Sequence, residues 1–165
     1  SLIRSDPRQA ESTLENLSDL FRALMSDGKQ LVSLDQEIQL AKAFVEIEEI
    51  RLQDRLRVAW HADQAPLTAQ VPQLMIQPLI ENAIIHGIEP SSQPGEIHIN
   101  IFSQKHKLFI VIRNSVCNDK TMRAGNQMAL ANIRERLDLY FDAEARLTHS
   151  RTSMEFVVQI EMPLR

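Results

Sequence analysis

Residues 96–114, EIHINIFSQKHKLFIVIRN, leave the chain little freedom. Ile97, Ile99 and Ile101 alternate with Glu96, His98 and Asn100, the two-residue period of a strand with one covered and one wet face. After a short turn at 103–106, the run Leu108 to Ile112 is apolar on both faces and predicts a central strand. A sheet of this kind needs helices over its apolar face.

The flanking segments supply them. Ser33, followed three residues later by Gln36, is a capping-box pattern that opens a helix in SLDQEIQLAKAFVEIEEIRLQDR. Leu34, Ile38, Ala41, Val45 and Leu52 fall near one face with Phe44 beside them, and Glu37, Lys42, Glu46 and Glu49 are expected on a solvated face. LRVAWHAD alternates Leu56, Val58 and Trp60 as a strand, with His61 at its surface end, and Pro66 and Pro72 mark the loop beyond. Residues 115–127 lack an apolar period and predict a loop. MALANIRERLDLYF comes next as a helix with Met128, Ile133, Leu137 and Tyr140 inward. A closing hairpin alternates Met154, Phe156, Val158 and Ile160. Near the start, Asp6 and Pro7 open a helix carrying Leu14, Leu17, Leu20, Phe21 and Leu24, which Gly28 ends. These pieces predict an α+β two-layer sandwich, with helices on one face of a mixed sheet and an N-terminal helical stub.

Composition narrows the function classes. A formal charge of −4 over 165 residues argues against nucleic acid as the main partner. No stretch of these residues reads as a membrane span or a signal peptide. The single Cys117 has no partner for an internal disulfide and no ligand spacing for zinc, which suits a reducing cytoplasm. A start at Ser1 within helical sequence predicts an excised fragment.

The polar exception to the pattern is PLIENAIIHGIEP, residues 78–90. Pro78 suits a first helical turn, so the helix is expected to begin near Gln77 and to stop at Gly87. In this apolar run Glu81, Asn82 and His86 need partners, because burial without them costs several kcal/mol. Asn82 and His86 lie one turn apart on one face. An amide oxygen suits a hard cation and an imidazole can donate to phosphate, so a hydrated magnesium ion with its phosphates fits. Glu81 beside them can orient a water or act as a base. A buried cluster satisfied by backbone and a neighbouring loop fits the same thirteen residues.

The order of the pieces, QPLIENAIIHG, then a hairpin ending IRNS, then a glycine-containing loop and GNQMALANIRERL, resembles the GHKL ATPase superfamily. Within it the likeness is to the catalytic domain of LytS-type sensor histidine kinases, over residues 31–165. QPLIENAIIHG is similar to that family's N box, and GNQMALANIRERL to the end of its ATP lid and the helix beyond. The resemblance implies the GHKL (Bergerat) fold, ATP and Mg2+ as cofactors, Asn82 as magnesium ligand and His86 near the phosphates. It places Asn114 where an aspartate usually reads the adenine amino group. It also implies a lid glycine at Gly125, phosphate-cradling N–H groups at Gly125, Asn126 and Met128, and a phosphate-side cation at Arg134 or Arg136. Glu81 is the candidate catalytic residue that would activate the acceptor imidazole.

Residues 1–30 then resemble the segment just after the family's phosphoacceptor box, a remnant of the dimerisation region without the acceptor histidine. The implied reaction is transfer of the ATP γ-phosphoryl group to a histidine outside this chain and thence to a response-regulator aspartate. The implied setting is a homodimer on the cytoplasmic side of an inner-membrane sensor, tethered upstream, with no membrane contact by these residues. The departures are Ile85 in place of a lysine, no glycine in NSVCN, and a single lid glycine; they imply weak nucleotide binding or a lid ordered by a partner. An anti-sigma-type serine kinase and a degenerate dimerising scaffold are the alternatives on the same fold.

Overall fold

The structure, a computed structural model, describes residues 30–116 and 123–165, and over 123–127 the backbone. The expected helix before Gly28 and the residue Cys117 lie outside the described residues. Strand β1 (Leu31–Ser33) leads into helix α1 (Leu34–Leu52), whose N-cap Ser33 accepts from the Gln36 N–H while Gln36 reaches back to the Ser33 N–H. β2 (Leu56–His61) and the short β3 (Gln70–Pro72) precede helix α2 (Ile76–Ala83). β4 (Gly95–Gln104) and β5 (Lys107–Ser115) form the expected hairpin, helix α3 spans Arg123–Phe141, and β6 (Arg146–Arg151) and β7 (Glu155–Pro163) close the chain.

The main sheet has the order β2-β4-β5-β7-β6, with β2 parallel to β4 and the other pairs antiparallel. β5 is central, as its two apolar faces require. Lys105 and His106 both take positive φ, 49° and 59°, which gives the two-residue turn whose twist matches the strands on either side. Ile97, Ile99 and Ile101, Leu108, Ile110 and Ile112, and Phe156, Val158, Ile160 and Met162 form the covered face. Leu34, Ile38, Ala41 and Val45 of α1, Ile76, Leu79, Ile80 and Ala83 of α2, and Leu130, Ile133 and Leu137 of α3 pack into the same core. The result is the expected α+β two-layer sandwich.

Several local expectations are corrected. β1 and β3 pair as a separate two-stranded sheet within what reads as a helix start and a proline-bearing loop. Helix α3 begins at Arg123 rather than Met128. Its inward row is Leu130, Ile133, Leu137 and Phe141; Met128 stands two residues, about 200° of helix, before Leu130 and is 68% exposed. Tyr140 is half-buried. Met154 is 78% exposed because it belongs to the turn, where the Thr152 hydroxyl accepts from the Met154 and Glu155 N–H groups. Glu37 is not on a solvated face at all.

Candidate functional site

α2 is short and mostly apolar, and charged side chains from outside it hold both its ends. At its N-terminus the buried Glu37 carboxylate accepts from the N–H groups of Leu74, Met75 and Ile76 at 2.6, 2.9 and 3.2 Å. These are donors that a helix start leaves without intrahelical partners, and the negative charge complements the helix dipole. Burial raises the Glu37 carboxyl above its usual range, against the lowering pull of those three N–H groups and of Arg136. At the far end Arg55 donates to the carbonyls of Glu89 and Ser91 at 3.0 and 2.7 Å. Glu37 and Arg55 bracket α1, so α1 and α2 run side by side in the same sense.

The helix does not stop at Gly87. It widens at Ile84–Ile88 into a π turn, in which the Glu89 N–H donates to the Ile84 carbonyl at 2.9 Å. Turns of this kind recur at functional sites. Gly87 is required for close approach instead: a Cβ there would stand 2.2 Å from Asn114 Nδ2 and 2.6 Å from the Ser115 carbonyl oxygen. The π turn therefore presses against the end of β5.

Asn114 continues the inward row of β5 after Ile112, opposite Ile97, and is only 4% exposed. Its Nδ2 donates to the Ser115 carbonyl at 2.8 Å, which leaves Oδ1 to accept. Asn82, on the helix leading to Gly87, is 6% exposed. His86, within the π turn, is half-buried. Glu81 diverges from Asn82 and is exposed. Burial and then the neighbouring Glu48 of α1 raise its carboxyl above the usual range. Ile85 is 43% exposed.

Gly125 and Asn126 lie in the first turn of α3 instead of a loop, so their backbone N–H groups are among those a helix start leaves free. The Met128 N–H lies beyond that turn. Arg134 is exposed, whereas Arg136 is committed to the protein, donating to the carbonyls of Gln73 and Leu74 at 3.1 and 2.7 Å. The residues that sequence reasoning missed are Glu37, Arg55 and Gln77, whose Oε1 is buried without a hydrogen-bond partner. For Gln77 the signal was present: it is a polar residue in the first turn of a helix otherwise apolar there. Among the described residues no group of three or more His, Cys, Asp or Glu side chains is placed to hold a metal ion. No helix among them is long and apolar enough to cross a membrane.

Comparison with known proteins agrees with this fold. A family model described as histidine kinase matches residues 1–56. The sensor protein LytS of Oceanobacillus iheyensis is 30% identical over 180 aligned positions that take in all of this chain and 31% of that protein. The chain thus spans about a third of the length of this relative. The histidine kinase domain of a blue-light activated histidine kinase from Erythrobacter litoralis has a similar fold, with a TM-score of 0.61 at 18% identity over 98% of this chain and 83% of that one. The histidine kinase ThkA, solved in complex with the response regulator protein TrrA, gives a TM-score of 0.54 at 14% identity over 92% and 48%. The chain is a relative of the LytS-type sensor histidine kinases, with the fold of a histidine kinase catalytic domain.

Proposed function

We propose that residues 31–165 are the ATP-binding catalytic domain of a two-component sensor histidine kinase, with 1–30 a remnant of its dimerisation region. The observation that carries this reading is the contact between the π turn of α2 and the end of β5. It sets Gly87, one residue after His86 and five after Asn82, against Asn114, in a chain related to LytS from end to end. Two amides buried within an otherwise apolar core suit a ligand with a polar purine edge at one side and phosphates at the other.

The residues present fit such a ligand. Asn114 Oδ1, with its amide nitrogen already engaged by Ser115, would accept from the adenine amino group. The Asn82 side-chain oxygen would hold Mg2+, with phosphate and water oxygens completing the set, as a small hard cation prefers. Magnesium would supply charge neutralisation at the transferring phosphoryl group. His86 would donate to a phosphate oxygen, the free N–H groups of Gly125 and Asn126 would cradle another, and the exposed Arg134 would be the phosphate-side cation. Glu81, whose raised pKa brings it nearer to neutral pH, would take the proton of the incoming imidazole. The exposed Ile85 leaves one phosphate cation missing, which supports weak nucleotide binding.

The acceptor histidine is supplied by another part of the whole protein, and a response regulator is the onward partner. Incubated with Mg-ATP labelled at the γ-phosphate, the present chain should acquire no acid-labile phosphate. A longer chain including the upstream segment should label on one histidine. Stable phosphohistidine on His61, His86, His98, His106 or His149 would refute the assignment.

A further inference from the structure

The turn that opens α2 is held from two sides. Leu74 has φ 59°, a left-handed conformation that branched side chains seldom adopt, and its side chain is buried. Its N–H donates to Glu37 on α1, and its carbonyl accepts from Arg136 on α3. The next two N–H groups also go to Glu37, and the preceding carbonyl, that of Gln73, also goes to Arg136. Three helices therefore meet on one strained residue. Such a residue persists only where its surroundings over-determine it, and here an anion fixes its donor while a cation fixes its acceptor.

We propose that Glu37 and Arg136 are positioning residues for the nucleotide site. By holding Leu74 left-handed they fix the start of α2, and with it the placement of Asn82 relative to Asn114. This rests on the reading of Asn82 as the metal-side residue. Neither charged group touches the ligand; both act through the turn. Without either one, Leu74 can relax to the right-handed region and α2 can begin elsewhere. That would displace Asn82 while leaving Asn114 on the sheet where it is. The consequence is specific: the metal-dependent part of ATP binding suffers and the metal-independent part does not.

The test uses Glu37→Gln, Arg136→Met and Arg136→Lys in the 165-residue chain. ATP affinity is measured with magnesium and again in EDTA, and hydrogen exchange is followed at the amides of Leu74, Met75 and Ile76. Glu37→Gln and Arg136→Met should weaken Mg-ATP binding by about tenfold or more, the scale of a small misplacement at a site, with affinity in EDTA little changed. Arg136→Lys, which keeps one cationic donor, should fall between. Exchange at the three amides should quicken in Arg136→Met, although the hydrogen bonds Arg136 donates to this turn go to carbonyls. Equal loss of affinity with and without magnesium, or unchanged exchange in Arg136→Met, overturns the proposal. If Glu37→Gln fails to fold, the two Arg136 variants decide by the same measurements. A parent chain that binds no Mg-ATP overturns the functional reading, and the exchange measurement, which needs no nucleotide, still decides whether the clamp exists.

Discussion

In the proposed site, Asn114 is the residue on which nucleotide choice would turn. An acceptor at Oδ1 would pair with the amino group of adenine and oppose the carbonyl that guanine presents at the same place. ATP should therefore outcompete GTP for the chain in a displacement titration, and equal affinities would count against the assignment. Asn114→Asp offers a charged and stronger acceptor, so ATP binding should hold or improve. The structure adds a cost, because an aspartate cannot donate to the Ser115 carbonyl as Nδ2 does. The variant should lose about 1 kcal/mol in urea unfolding. Glu81 makes a prediction about pH. Its folded pKa is raised above the ordinary 4.5, by burial first and Glu48 second, so the folded state binds its proton more tightly than the unfolded chain. Its contribution is thus favourable in acid and is lost as pH rises from about the ordinary value through the raised one. The melting temperature of the parent minus that of Glu81→Gln should fall across that window. A flat difference would show that neither burial nor Glu48 raises the Glu81 carboxyl in the folded chain.

At the scale of elements, α2 depends on charges that lie outside it. Arg55→Ala would leave the carbonyls of Glu89 and Ser91 without their cationic donor at the C-terminal end of the helix dipole. Loss of about 2 kcal/mol in a urea titration is expected, and an unchanged midpoint would show that water replaces the guanidinium at no cost. Neither Arg55 nor Glu37 was legible in the sequence. Both look like ordinary members of charged helical segments, and their partners are backbone groups in distant segments of the chain that no periodicity encodes. What was legible had a local cause. The capping box of α1, the inward rows of the β4–β5 hairpin and the central place of β5 come from spacing within a few residues. β1 and β3, at three residues each, are too short to show an alternation. Glycine so often ends helices that Gly87 reads in the sequence as a helix stop. Its actual reason, the approach of Asn114, is a contact between elements and invisible in a linear pattern.

At the scale of the whole molecule, one side of the sheet is given to helices and the candidate site lies where that packing turns polar. Asn82 and Asn114 are legible as polar exceptions in apolar rows, whereas the approach of Gly87 to Asn114 emerges only in the fold. The central claim is that this place takes Mg-ATP, with Asn82 on the metal side. Calorimetric titration of ATP with magnesium into the parent chain and into Asn82→Ala tests it most directly, with circular dichroism to show that both fold alike. The parent should bind, in keeping with its single lid glycine no more than weakly, and Asn82→Ala should lose the magnesium-dependent binding while keeping its fold. Equal Mg-ATP affinity in the two chains would contradict the account.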